Sequence, residues 1–155
     1  MLPLNLPNFT PNLRVGQGGK QEIFDICRKK FVRLTPEEWV RQTFLSYLIN
    51  HQHFSASLLV VEAQLTFNKM IKRFDILAYG SDGKPRLVVE CKAPTVEITQ
   101  AVFDQVAMYN MTLTVDYLVV TNGLTHYSCK IDHQNRTYQF LSEIPTFETI
   151  SIINP

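Results

Sequence analysis

The sequence predicts an α/β domain in which a mixed β-sheet is flanked by helices, in the order α-βββ-α-ββ. Three observations predict it. A helix-start signal, Thr35-Pro36-Glu37-Glu38, precedes an apolar stripe of helical period. Three runs rich in β-branched and aromatic residues follow, each bounded by turn residues. A second helical stretch then leads into two strand-like runs joined at Asn122-Gly123. Helices and strands in this succession pack as layers around a sheet.

The chain has 155 residues, which suits one domain, and its 45% apolar and 19% charged shares allow a buried core and exclude global disorder. Lys and Arg number 15 against 14 Asp and Glu, a formal charge of +1, so a nucleic-acid partner would depend on a local patch. No apolar run is long enough to span a membrane, and no basic start leads into the apolar stretch of a secretory signal. Cys27, Cys91 and Cys129 are odd in number and form no Cys-x-x-Cys, which argues against a disulfide framework or a Cys-rich zinc site. A reducing cytoplasm is the expected location.

Pro3, Pro7 and Pro11, then Gly16, Gly18 and Gly19, make residues 1–20 an expected N-terminal arm ahead of a single domain over 21–155. Residues 21–34 fit a short strand pair or a helix. From Thr35 at the N-cap and Pro36 at the first helical position, a helix should run to about Asn50. Val40, Phe44, Tyr47 and Leu48 form its core stripe, and Glu38, Arg41 and Gln42 lie on another. Strands are expected at 58–67, 71–79 and 86–92, a helix at about 97–112, strands at 116–121 and 124–132, and a last strand at 137–141.

Asp82-Gly83 is a two-residue hairpin signal. With Ser81 opposite Lys84, the register places Asp75 opposite Glu90 and Arg73 opposite Lys92. Directly opposed residues have Cβ atoms about 4.5–5.5 Å apart. Two facing carboxylates repel, and the apolar neighbours Phe74, Ile76, Leu87, Val88 and Val89 raise the cost of burying them. A divalent cation between them removes the conflict, and oxygen ligands suit Mg²⁺ or Mn²⁺ better than zinc. Lys92 shares the face of Glu90 and could orient a water or stabilise developing negative charge. The bland alternative is an edge hairpin whose charges pair diagonally, Asp75 with Lys92 and Glu90 with Arg73.

Asp75, then fourteen residues, then Glu90-Cys91-Lys92, resembles the Asp…Glu-x-Lys core of the PD-(D/E)xK nuclease superfamily, and in particular the nuclease domain at the N-terminus of type I restriction endonuclease R subunits. The resemblance covers about residues 35–131. It extends to Thr35–Gln42, similar to the family's first helix, whose Glu often joins the metal site, and to Gln105-x-x-x-Tyr109, similar to its Gln-x-x-x-Tyr signature. Phe74 stands where many members have Pro, and no helicase-like ATPase is present, so the chain is not a whole R subunit. The resemblance implies a restriction-endonuclease-like core and a Mg²⁺- or Mn²⁺-dependent deoxyribonuclease. Asp75, Glu90 and the Cys91 carbonyl would hold the ion, with Glu38 as a further ligand. Lys92 would assist the attacking water, and Gln105 would position water or phosphate.

Ile98, Ala101, Val102, Gln105 and Tyr109 share one helical stripe, expected to face the sheet. Gly16–Lys20 lacks Walker spacing and reads as a loop, and His51-Gln52-His53 reads as a helix end. Glu62, among valines, is expected to support the site or to pair with Arg73. The basic run of Arg28, Lys29, Lys30 and Arg33 would touch phosphates or remain a solvated face. The expected partners are DNA and either a second copy or separate motor and specificity subunits. The rival reading is a non-catalytic nucleic-acid-binding or assembly subunit that keeps the nuclease fold.

Overall fold

The computed structural model describes residues 1–152, apart from the side chain of Phe67. Its centre is a six-stranded sheet in spatial order β4-β5-β6-β7-β8-β9, made of β4 (Leu59–Phe67), β5 (Met70–Tyr79), β6 (Pro85–Cys91), β7 (Tyr117–Thr121), β8 (His126–Asp132) and β9 (Thr137–Leu141). All neighbours are antiparallel except β6 and β7. A parallel pair needs a crossover, and α2 (Gln100–Met111) supplies it. One face of the sheet packs on α1 (Pro36–His51), around Val40, Phe44, Leu48, Ile76, Leu87 and Val89. The other face buries Leu77, Val88, Leu118 and Val120 against Phe103 and Ala107 of α2. The expected α-βββ-α-ββ order is therefore present, as a mixed sheet of restriction-endonuclease-like type.

Thr35 caps α1 as expected, its hydroxyl accepting from the Glu38 N–H, and Thr99 caps α2 in the same way through Val102. The chain adds α3 (Phe147–Ser151), which buries Ile150 beneath the α1 side of the sheet.

Residues 1–20 differ from the expected arm. Leu4 and Leu6 pack on the core, the Asn5 N–H donates to the Gly123 carbonyl, and Leu13–Val15 forms β1. β1 pairs with β2 (Gln21–Asp25), and β2 with β3 (Lys30–Arg33), so 21–34 is a strand pair within a separate three-stranded sheet.

Two turns also differ. Gly80 pairs with Lys84 around a three-residue loop in which Gly83 takes φ 73°, where a side chain would be strained. A bulge between Ala78 and Tyr79 then restores the expected register, with Ile76 opposite Val89. At Asn122-Gly123 the loop has four residues, because the Asn122 Oδ1 accepts from the N–H groups of Leu124 and Thr125.

Candidate active site

The β5–β6 ladder ends at Ile76 and Val89, and the next rung carries Asp75 and Glu90. Beyond it the backbone bond is replaced by a side chain: the Cys91 N–H donates to Asp75 Oδ2 at 2.8 Å. A cleft of about 310 Å³ opens there, lined by Asp75, Glu90, Phe74, Arg73, Gln64 and Glu62 from the strands, and by Glu37 and Arg41 from α1. The hairpin register thus brings the two carboxylates to one site, as expected. Glu90 carries its proton up to about pH 7. Burial is the main cause, the Asp75 charge adds to it, and Lys92 opposes it. The Lys92 Nζ lies 3.5 Å from Glu90 Oε1 and is partly exposed.

Arg41 enters this cleft from α1 and donates from Nη2 to Asp75 Oδ1 at 2.8 Å. Its guanidinium also pairs with Glu38 and, at 3.1 Å, with Glu37. Burial works against the Arg41 charge, but Glu38 and Asp75 outweigh it and hold the proton more tightly than usual. Behind Arg41 runs a chain of buried ions. Glu38 binds Arg28, and Arg28 binds Asp25 at 2.5 Å. Asp25 is fully buried and also accepts from the Cys27 and Arg28 N–H groups and from Gln42 Nε2. Burial raises the Asp25 proton affinity, yet the hydrogen bonds from Arg28 and Gln42 bring it below the usual range. The three-stranded sheet therefore delivers Arg28 to the back of the site, a role sequence reasoning missed.

Glu38 itself does not line the cleft, since both its oxygens are taken by Arg28 and Arg41. Its neighbour Glu37 does, with a proton affinity raised by burial and then by Asp75, and lowered by Arg41 and Lys92. Glu37 is thus the α1 carboxylate within electrostatic reach of Asp75 and Lys92.

Glu62 occupies the rung opposite Asp75, between Val61–Ile76 and Ala63–Phe74. Its φ of 51° lies in the left-handed region, costly for a non-glycine residue, and the strands change facing there. Val61 and Ile76 sit in the α1-side core, whereas Ala63 and Phe74 sit in the α2-side core. Glu62 lies 3.4 Å from Arg28 and 3.7 Å from Arg41 rather than on Arg73.

Gln105 and Ala101 are exposed, and α2 instead buries Phe103, Ala107 and Asn110. The expected sheet-facing stripe is therefore displaced, because the bulkier Phe103 fixes which side of the helix meets the sheet. Tyr109 is half exposed, with its ring 6.4 Å from Phe74 and Lys72 Nζ 4.2 Å from its centre. Cys27, Cys91 and Cys129 are all free thiols.

The donor set suits a hard cation: oxygen ligands, two of them mutually repelling. Among the described residues no three His, Cys, Asp or Glu side chains converge into a ready cage. The Arg41 guanidinium supplies positive charge at Asp75, and its own Nε is buried without a partner. No described helix is long and apolar enough to cross a membrane.

Comparison with known proteins bears on this geometry. The family described as type I restriction enzyme R protein N terminus matches residues 36–145. Among solved structures, a fragment assigned as the HsdR subunit of a type I restriction enzyme from Vibrio vulnificus YJ016 superposes with a TM-score of 0.53 at 22% identity. The match covers 76% of this chain and 24% of that one, so the chain spans about a quarter of its length. At that identity the superposition shows the fold. No curated protein matches the chain.

Proposed function

The chain belongs to the family of type I restriction enzyme R protein N termini, and from that premise we propose that it is a divalent-cation-dependent nuclease domain that hydrolyses phosphodiester bonds in DNA. The observation that carries this reading is the Asp75–Glu90 rung at the splayed end of β5 and β6, where burial and mutual charge keep Glu90 protonated up to about pH 7. Such a pair is stabilised by added positive charge.

Asp75 and Glu90, with the Cys91 carbonyl, would hold Mg²⁺ or Mn²⁺, and Glu37 would take the supporting place expected of Glu38. Bound there, the ion would lower the pKa of a water and stabilise charge on the phosphoryl oxygens. Lys92, anchored on Glu90, would present its ammonium to the same developing charge. Arg41 orients Asp75 and would share it with the cation. Gln105 is exposed on α2 and does not line the cleft, so it would meet water or phosphate only outside it. DNA is the proposed substrate, and motor and specificity subunits of a type I enzyme are the proposed partners. One such site cuts one strand, so a double-strand break would need a second copy or a partner's site.

The Arg41–Asp75 ion pair favours a second reading, a DNA-binding or assembly subunit that keeps the nuclease fold without cutting. Incubation of linear and circular DNA with Mg²⁺, Mn²⁺ or EDTA separates the two. Cleavage that EDTA stops and Lys92→Ala reduces about 100-fold or more supports the nuclease. Intact DNA under every condition supports the second reading.

A further inference from the structure

Every carboxylate lining the cleft has a partner. Glu37 binds Arg41, Glu62 lies near Arg28 and Arg41, Asp75 accepts from Arg41 and Cys91, and Glu90 faces Lys92. Arg73 lines the same cleft and is exposed, and its side chain makes no hydrogen bond or ion pair among the described residues. Its cross-strand neighbour Gln64 is likewise exposed, and its side chain donates to nothing described. The preceding residue, Lys72, turns to the opposite face, where it donates to the Tyr109 carbonyl at 2.6 Å and to Thr112. Strand alternation therefore holds Arg73 on the cleft side.

The β4–β5 edge thus presents two adjoining rungs, an acidic one of Glu62 and Asp75 and a donor one of Gln64 and Arg73. A two-residue step along a strand is about 7 Å. The donor rung is therefore offset from the Asp75–Glu90 pair while opening into the same cleft. A guanidinium offers a planar fork of N–H groups that matches phosphate oxygens, and the Gln64 amide adds donors beside it. All acidic acceptors in the cleft being engaged, the anion that fits this rung comes from outside the chain.

We propose that Arg73 and Gln64 form a phosphate subsite that holds a backbone phosphodiester adjoining the one placed at Asp75 and Glu90. It rests on the proposed nuclease function and names the contact that positions its substrate. Both residues are exposed, so substitutions there leave the fold intact, within about 0.5 kcal/mol. The contact is to backbone and independent of base sequence.

The test uses the full chain carrying Lys92→Ala, so that DNA stays intact, and measures anisotropy of a labelled random-sequence duplex in Mg²⁺ across a salt series. Adding Arg73→Gln should weaken binding about fivefold or more and flatten the salt slope by about one. Arg73→Lys should keep that slope with part of the affinity, and Gln64→Ala should weaken binding less. With Lys92 present, Arg73→Gln should raise KM more than it lowers kcat. Calorimetric Mn²⁺ affinity should not change, whereas a role confined to shaping the cation site would move it. Binding that Arg73→Gln leaves unchanged overturns the subsite alone. Absence of DNA binding in the parent protein overturns the nuclease reading together with it.

Discussion

Helix α1 buries Glu38, Arg41, Gln42 and Thr43 beside Val40, Phe44, Leu45 and Leu48, whereas α2 buries Phe103, Ala107 and one polar residue, Asn110. Each helix covers one of the two faces of the same sheet. On the α2 side the polar contacts are local: Asn110 donates to the Val106 carbonyl while its Oδ1 is buried without a partner among the described residues, and Lys72 caps the end of the helix. On the α1 side the polar groups form a continuous chain from Asp25 through Arg28, Glu38 and Arg41 to Asp75. Buried ion pairs lose hydration that their attraction barely offsets, so apolar packing would hold α1 at least as well. What the ionic side provides instead is a fixed position for Asp75. The difference teaches which face of the sheet has a task beyond packing.

The comparison can be broken most directly at Arg41. Arg41→Met leaves Glu38 buried with one partner fewer and Asp75 without a cation, and should lower the unfolding free energy in urea by about 3–5 kcal/mol. A loss below about 1 kcal/mol would make the ionic chain dispensable and the two faces alike.

The next effect depends on pH. Glu90 is held at about 7, first by burial and then by Asp75, so its ionisation favours unfolding. The penalty is absent below the ordinary carboxylate range, grows as pH rises to about 7 and is complete above that. Against Glu90→Gln, the wild type should therefore lose on the order of 3 kcal/mol between about pH 4 and pH 8, and Mn²⁺ should restore part of it. A pH-independent difference in thermal stability would show Glu90 to be solvated rather than opposed by Asp75.

Smaller changes belong to α2. Thr99→Ala removes the cap on Val102 and should cost about 1 kcal/mol, with cleavage unchanged. Gln105→Ala should alter stability by less than about 0.5 kcal/mol because the residue is exposed. If its kcat nevertheless falls, the exposed side of α2 joins the working surface, and the contrast between the helices sharpens into one between their buried sides only.

The sequence makes the sheet, the Thr35 cap of α1 and the Asp75–Glu90 rung legible, because each depends on neighbours close along the chain. The register came out right through two departures that cancel: the loop pairs Gly80 with Lys84, and the bulge at Ala78 and Tyr79 takes up the difference. The choice between Glu37 and Glu38 was not legible. Adjacent helical residues point about 100° apart, and it is Arg28, arriving from the β2–β3 turn, together with Arg41 that claims both oxygens of Glu38. The α2 stripe failed for a related reason. Gln105 and Tyr109 share a period with apolar residues, yet the larger Phe103 decides the buried side. Residues 1–20 look like an arm because their contacts, Leu4 on the core and Asn5 at Gly123, join segments more than a hundred residues apart.

Asp75 serves two masters. Its Oδ2 closes the gap in the sheet by accepting from the Cys91 N–H, and its Oδ1 neutralises Arg41. A relative without nuclease activity would still be selected to keep an acceptor here, since losing it would strand a backbone donor and leave a buried guanidinium one partner short. An aspartate at this position therefore testifies to folding as much as to chemistry. Lys92, whose described side-chain contact is with Glu90 alone, has no such second employment. Among relatives, the presence or loss of Lys92 rather than of Asp75 would report on the proposed chemistry.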